Sequence, residues 1–225
     1  VYGDLGDLAI VSKSDRYEPE GLFAGRGISE TRPLDFHTPY GCSKGAADQY
    51  ILDYARSFGI PSVVFRMSCI YGRRQMGTED QGWVAHFLIR ALAGEPITIY
   101  GDGKQVRDIL DVSDAVDAYV SAFDRAGDVG GNAFNLGGGP RNAISLLELL
   151  DEIPAVTDRR VELHFRDWGQ GDQRRYVSDT AKAREALGLR APLAWRKGVA
   201  RLASWLASER GQLLPYEASF ASAAE

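Results

Sequence analysis

The chain has 225 residues, of which 44% are apolar and 25% are charged, and its formal net charge is −5 at pH 7. These proportions are typical of a folded globular protein and exclude the disordered and fibrous classes. The acidic balance argues against nucleic acid as a partner, because a nucleic-acid binder needs a basic face. The two cysteines, Cys42 and Cys69, fit neither a metal site nor a disulfide framework, so we expect a reducing, cytoplasmic setting and no bound metal. No apolar run is long enough for a membrane span, so we expect no membrane partner.

The first forty residues predict little regular structure. The opening, VYGDLGDL, is typical of a strand end that enters a loop, and it shows neither an initiator methionine nor a targeting pattern. We therefore expect the chain to begin inside a larger protein. Residues 4–39 are rich in Asp, Glu, Gly, Pro and Arg without periodicity, which predicts a long loop.

From Pro39 onward, helical and strand patterns alternate. Apolar and small residues recur every three or four positions up to Gly59, which predicts a helix closed by a glycine cap. The later patterns predict a buried strand in PSVVFRMSCIYG, a helix in GWVAHFLIRALAGEP, two strands in ITIYGDGKQVRDILD, a helix from about Ser113, a strand in NAFNL, a helix in SLLELLDEI, a strand in VELHF, and helices in TAKAREALG and AWRKGVARLASWLASER. This alternation indicates an α/β fold with a mostly parallel sheet. Residues 216–225 are expected to form a frayed tail.

The stretch HTPYGCSKGAADQY places Tyr40 four residues before Lys44 at the start of the first predicted helix. Residues at i and i+4 share a helix face, so the two side chains should project together. A nearby ammonium favours the ionised form of a phenol. Such a pair can remove the proton from a sugar or steroid hydroxyl while a hydride leaves the same carbon. The spacing also arises by chance in a chain with ten tyrosines, so the pair is a hypothesis that needs its context.

Several motifs supply that context. VYGD, TPYGCSK with the strand ending in YG, YGDGKQVRDILDVSDAV, NAFNLGGG and GDQRRYVSDTAKAREALG occur in this order. Together they resemble the extended short-chain dehydrogenase/reductase family of nucleotide-sugar enzymes, over residues 1 to about 190. YGCSKGAADQYILDYARSFGIPSVVFR and YGRRQMGTEDQGWV are most similar to the CDP-paratose 2-epimerase branch of that family.

The resemblance implies a Rossmann-like, mostly parallel sheet with a smaller α/β lobe that binds the nucleotide sugar. Residues 1–71 and 107–137 would belong to the Rossmann-like part, and residues 72–106 and 138–215 to the lobe. Family members bind NAD through a glycine-rich strand–turn–helix fingerprint, and no such fingerprint opens this chain. We therefore expect the N-terminal half of the Rossmann domain to be absent, and the functional predictions concern the intact parent protein.

The resemblance also implies roles for individual residues. Tyr40 would be the catalytic base, and Lys44 would assist it and contact the ribose of NAD, so both residues would also bind the cofactor. A Ser or Thr that hydrogen-bonds the reacting hydroxyl in relatives would fall immediately before Val1. Relatives dimerise through the helix that carries the tyrosine and lysine, so a homo-oligomer is expected.

Arginines would hold the diphosphate of the substrate. By resemblance, Arg107 and Arg174 form this clamp, although Arg175 fits the second position equally well. A planar guanidinium meets phosphate oxygens in a bidentate way, which suits that role. The alternative for Arg107 is a surface salt bridge with Asp108 or Asp111.

Two further segments would contact the substrate. Cys69 is predicted to contact the substrate, because many relatives carry at this position an Asn whose amide does so. A cysteine cannot replace that donor well, and the alternative is that Cys69 is a small buried residue. Gln81 lies in DQGW, the segment most typical of the branch, and is predicted to bind substrate. The alternative for this segment is structural, with Asp80 as a helix N-cap and Trp83 packed in the core.

The resulting prediction is an NAD-dependent epimerase acting at C2 of a CDP-hexose, through a keto intermediate with internal hydride return. The first rival is a nucleotide-sugar 4,6-dehydratase or another NAD-dependent nucleotide-sugar epimerase. The second rival is a relative that binds nucleotides without turnover, and the third is a stable structural fragment without function.

Overall fold

The computed structural model describes residues 1–21, 25–169 and 172–221, and for residues 209–221 it describes the backbone alone. The strands are β1 (Ile10–Ser12), β2 (Tyr17–Pro19), β3 (Val63–Met67), β4 (Cys69–Tyr71), β5 (Ile97–Tyr100), β6 (Val106–Asp111), β7 (Asn132–Leu136), β8 (Ala143–Ser145), β9 (Leu163–Arg166) and β10 (Arg175–Tyr176). The helices are α1 (Pro39–Phe58), α2 (Trp83–Ala93), α3 (Val112–Asp124), α4 (Ala126–Val129), α5 (Leu146–Thr157), α6 (Ala181–Leu187) and α7 (Trp195–Ala221). The predicted α/β class is confirmed.

Most strand pairs in the described residues are parallel, as the alternation of strands and helices predicted. β3 pairs with β7, β4 with β6, β10 with β6, and β5 with β9, all in parallel. The antiparallel pairs are β6 with β8 and β1 with β2. β6 therefore lies at the centre, with β4, β8 and β10 all bonded to it.

The single strand predicted in PSVVFRMSCIYG is divided at Ser68. Its first part, β3, pairs with β7, and its second part, β4, pairs with β6. Ser68 joins the two because its backbone N–H donates to Leu136 O at 2.9 Å and its hydroxyl donates to Asp108 Oδ1 at 2.6 Å. The division lets one segment of chain bond to two different neighbours.

The long loop predicted over residues 4–39 is partly wrong, because it contains the hairpin β1–β2. The hairpin is anchored on other parts of the chain. Arg16 donates two hydrogen bonds to Glu148, at 2.8 and 3.1 Å, and a third to Ala143 O. The hydroxyl of Tyr17 donates to Asp102 Oδ2 at 2.6 Å. These long-range contacts order a segment whose sequence shows no strong period.

The largest apolar core lies among α2, α5 and α7 and the strands beside them. Its fully buried side chains include Leu88, Ile99, Ile109, Leu149 and Leu202. Smaller clusters centre on Phe134 and Leu187 and on Leu110 and Leu136, where α3 and α6 meet the β3–β7 side of the structure. Burial of these side chains contributes roughly 1.5–3 kcal/mol each.

At the C-terminus, α7 continues to Ala221, which is further than the sequence predicted. The predicted frayed tail, 216–225, thus starts within this helix, and residues 222–225 lie outside the described residues. Within the described part of the chain, no helix combines the length and apolar character that crossing a membrane requires.

Candidate functional site

Helix α1 begins and ends on the residues that its sequence indicates. Thr38 is the N-cap, and its hydroxyl oxygen accepts a hydrogen bond from the Gly41 N–H at 3.0 Å. Pro39 occupies the first helical turn, where its missing N–H costs nothing. At the other end Gly59 adopts the left-handed conformation, with φ of 67°, and donates to Ala55 O. The caps set the first turn of the helix where Tyr40 lies.

Tyr40 and Lys44 project together from this first turn. The Lys44 Nζ lies 5.5 Å from the centroid of the Tyr40 ring. The Tyr40 side chain is open to its surroundings, with 68% of its surface exposed, and Lys44 is exposed as well. The phenol and the ammonium are thus adjacent and accessible, as catalysis requires. Their catalytic and cofactor-binding roles stay predictions.

Below this turn, sequence analysis missed a polar network that joins α1 to the strands. Arg66 on β3 donates to both carboxylate oxygens of Asp48, at 2.7 and 3.0 Å, and to the Tyr2 hydroxyl at 3.0 Å. The Tyr2 hydroxyl donates in turn to Asn135 Oδ1 at 2.7 Å. Burial lowers the pKa of Arg66, but the hydrogen bonds to Asp48 and Tyr2 outweigh it and raise that pKa overall. Burial raises the pKa of Tyr2.

Arg107 is a half-buried cation on β6 for which the described residues supply no ion pair. Its one side-chain hydrogen bond goes to the neighbouring Val106 O, at 2.9 Å. Burial lowers the pKa of its guanidinium, and the nearby acidic groups, Cys69 first and then Asp172 and Asp108, oppose this only in part. The alternative of a salt bridge is not found, because Asp108 accepts from Ser68 and from backbone N–H, and Asp111 caps α3. Arg107 therefore keeps donors that an anionic ligand can use.

The two arginines left open by the sequence, Arg174 and Arg175, both contact the hairpin. Arg174 is exposed, and its guanidinium carbon lies 5.6 Å from the centroid of the Tyr17 ring. Arg175 is half-buried and donates to Tyr17 O at 3.4 Å. Burial, together with the nearby positive charge of Arg16, lowers the pKa of Arg175 to about 10. Both therefore remain candidates for the diphosphate.

Cys69 is half-buried beside Arg107. Its register partner on β6 is Ile109, which shares a strand face with Arg107. The indole N–H of Trp83 donates to the Cys69 sulfur at 3.4 Å, and burial raises the pKa of the thiol. The sulfur thus has a protein partner, which favours the structural alternative for Cys69.

Gln81 is exposed in a turn, where its backbone exchanges hydrogen bonds with Thr78. The alternative that Asp80 caps the following helix is wrong, because Gly82 occupies the N-cap in a left-handed conformation and no side chain caps that end. Trp83 does pack against the main core, with its ring edge towards Phe87. The substrate-binding role of Gln81 stays a prediction.

Apart from Gln81, which lies in its own turn, the predicted residues thus form two groups. Tyr40 and Lys44 lie together on α1, while Arg107 and Cys69 lie together on the central strands, with Arg174 and Arg175 at the hairpin. The sequence shows a charged residue in a predicted helix, Asp48, and another in a predicted strand, Arg66. It contains no signal that these two residues pair. Among the described residues, no group of three or more His, Cys, Asp or Glu side chains is arranged to hold a metal ion.

The mostly parallel strands interleaved with helices define a Rossmann-type α/β fold. The model of the NAD dependent epimerase/dehydratase family matches residues 17–137. The chain belongs to this family. The family resemblance predicted from the motifs is confirmed, and NAD is the cofactor of the family.

Individual relatives refine this placement. The chain is 42% identical to the CDP-paratose 2-epimerase of Salmonella typhi over 216 residues, covering 92% of this chain and 62% of that protein. It is 31% identical to a dTDP-glucose 4,6-dehydratase of Xanthomonas campestris pv. campestris over 215 residues, covering 91% of this chain and 54% of that protein. A Thermus thermophilus UDP-glucose 4-epimerase, solved in complex with NAD, superimposes with a TM-score of 0.73 at 27% identity, over 91% of this chain and 60% of that one. The chain thus spans less than two thirds of each.

Proposed function

We propose that the protein carrying this chain is an NAD-dependent nucleotide-sugar epimerase that inverts C2 of a CDP-hexose. The observation that carries the proposal is the exposed Tyr40 phenol with the Lys44 ammonium 5.5 Å from its ring. The 42% identity to a CDP-paratose 2-epimerase, against 31% to a dehydratase, supports an epimerase acting on a CDP-sugar.

In this proposal Tyr40 removes a proton and later returns it. As phenolate it takes the proton of the C2 hydroxyl, and the ammonium of Lys44 stabilises the negative charge on the phenol oxygen. Both side chains sit on the first turn of α1, which the Thr38 cap holds in place. When bound, NAD supplies a reversible acceptor for the hydride, so that the C2 centre can be oxidised and reduced again.

Tyr40 and Lys44 fit a role in binding NAD because their side-chain donors are available. Tyr40 and Lys44 are exposed. Within the described residues, neither the Tyr40 hydroxyl nor the Lys44 ammonium donates a hydrogen bond. Lys44 is therefore available to donate to ribose hydroxyls, which are good acceptors for an ammonium. These two residues would therefore hold NAD.

Anchoring of the substrate belongs to the other group of residues. Arg107, with its donors left unused by the described carboxylates, would hold the diphosphate, and Arg174 or Arg175 would complete the clamp. Inversion requires the keto sugar to present its other face, so the diphosphate must stay fixed while the sugar turns. A site that held both parts equally firmly would bind well and turn over poorly.

The proposal is tested by incubating the protein with CDP-, UDP- and GDP-hexoses in ordinary and deuterated water. We expect product from a CDP-hexose alone, inverted at C2, with the carbon-bound hydrogen retained. Solvent deuterium at C2 would point to a different mechanism. Tyr40→Phe removes the base, and we expect a loss of turnover of at least about 100-fold; near-normal turnover in this variant would refute the assignment of Tyr40.

A nucleotide-sugar 4,6-dehydratase is the second candidate, since the family includes dehydratases by name. The same incubation separates the two reactions, because a dehydratase releases water and forms a 4-keto-6-deoxy sugar. A binder without turnover would retain NAD and yield no product from any of the sugars.

A further inference from the structure

Helix α1 is held to the rest of the structure in an unusual way. Of its twenty residues, only Gly45 and Asp48 are buried, while apolar side chains such as Tyr54 and Phe58 remain exposed. A helix against a sheet normally buries a broad apolar stripe. Within the described residues little apolar packing fixes the helix, so its buried polar contact becomes important for its position.

That contact is the ion pair between Asp48 and Arg66. The side chains of Asp48 and Arg66 are 3% and 8% exposed, respectively, and two hydrogen bonds join them. Forked contacts between a guanidinium and a carboxylate fix orientation as well as distance. The pair therefore constrains both the distance and the rotation of α1 relative to β3 at this point.

The helix spacing connects this pair to the proposed site. Residues 40, 44 and 48 follow each other at intervals of four, so they lie along one side of α1. We propose that Asp48 and Arg66 are positioning residues, which set Tyr40 and Lys44 towards the substrate and the cofactor. This inference rests on the proposed function, because it assigns a geometry to the same two residues.

The far side of the pair is fixed as well. Arg66 also donates to the Tyr2 hydroxyl, which donates to Asn135 on β7. Asn135 in turn donates to Ile28 O at 2.8 Å. The network thus ties α1 to two strands and to the segment before the helix.

The test uses the intact parent protein and removes both charges together. Replacing a buried ion pair with apolar residues of similar volume is often neutral for stability, so Asp48→Leu with Arg66→Met should leave the melting temperature within a few degrees of wild type. We expect kcat for the CDP-hexose to fall at least 10-fold with KM unchanged, because the diphosphate arginines are untouched. We also expect NAD to bind about 10-fold more weakly, measured by quenching of tryptophan fluorescence, because Lys44 is displaced.

The matched control is the exposed ion pair of Asp53 and Arg56 on the same helix. Asp53→Asn with Arg56→Met should leave kcat, NAD affinity and melting temperature at the wild-type values. A second variant, Arg66→Lys, keeps the charge but loses the forked contact, and should lower kcat about threefold or more while the protein stays folded.

The outcomes decide the inference and the proposed function separately. A folded double variant with wild-type kcat and NAD affinity overturns the positioning role; if that variant does not fold, wild-type kcat and NAD affinity in Arg66→Lys overturn it. A wild-type protein that binds NAD but converts no CDP-hexose overturns the proposed function alone, and the NAD measurement then decides the inference. An intact wild-type parent protein that binds no NAD overturns both.

Discussion

Replacing Arg107 by methionine should weaken substrate binding and at the same time stabilise the fold. In the described structure the guanidinium donates one side-chain hydrogen bond, to Val106 O, and has no carboxylate partner. Partial burial of the guanidinium therefore costs desolvation free energy that no opposite charge offsets. Methionine fills a similar volume without that cost.

The two effects have different sizes. Losing one hydrogen bond to a neutral carbonyl costs about 1 kcal/mol. Removing the partly buried, unpaired cation avoids a desolvation cost of about 2 kcal/mol, a value reduced because the guanidinium keeps some contact with solvent. The net gain of about 1 kcal/mol corresponds to a rise of about 2–4 °C in melting temperature for a chain of this size. A forked contact to phosphate is worth about 1.5–3 kcal/mol, so the Kd for CDP should rise about 10- to 100-fold.

Thermal unfolding and calorimetric titration with CDP measure both effects in the same samples. Arg16 provides the matched control, because it is also half-buried but donates two hydrogen bonds to Glu148. Arg16→Met should destabilise the protein by about 1–3 kcal/mol, since it leaves a partly buried carboxylate without its partner. If Arg107→Met lowers the melting temperature as much as Arg16→Met and leaves the Kd for CDP unchanged, Arg107 is a structural residue and the reasoning is wrong.

Two further predictions concern the cysteines and the exposed side of α1. Burial raises the pKa of Cys69, so its thiol should stay protonated and unreactive at pH 8 while the exposed Cys42 reacts; a thiol reagent should modify one cysteine quickly, and a Cys42→Ser protein that still reacts quickly would contradict this. Tyr54 and Phe58 are exposed and their rings lie 5.1 Å apart, and we expect them to lie in a homo-oligomer interface. Tyr54→Glu with Phe58→Glu should reduce the mass measured by light scattering to that of a single chain, whereas an unchanged mass would exclude this face.

The sequence predicted the regular elements well where their signals were local. The helix α1 was predicted between Pro39 and Gly59 because both residues restrict the backbone, and the structure confirms these limits. The spacing of Tyr40 and Lys44 predicted their adjacency for the same reason, since a helix converts sequence spacing directly into distance. The ordered motifs then carried the family assignment.

Prediction failed where distant residues determine the local structure. The hairpin β1–β2 has strands of three residues, too short for a clear alternation, and its anchors Glu148 and Asp102 are far away in sequence. The strand break at Ser68 likewise depends on Asp108 and Leu136, which bond it from two neighbouring strands. In both cases the ordering contacts are long-range, and no window of the sequence contains them.

The docking of the hairpin has a consequence for protein engineering. Residues 10–19 precede α1 in sequence, yet Arg16 and Tyr17 bind Glu148, Asp102 and the backbone of Lys104. A chimaera that exchanged residues 72–106 and 138–215 between two relatives would separate these partners. A graft of these two segments must therefore bring its own hairpin with it, or Glu148 will face a foreign residue.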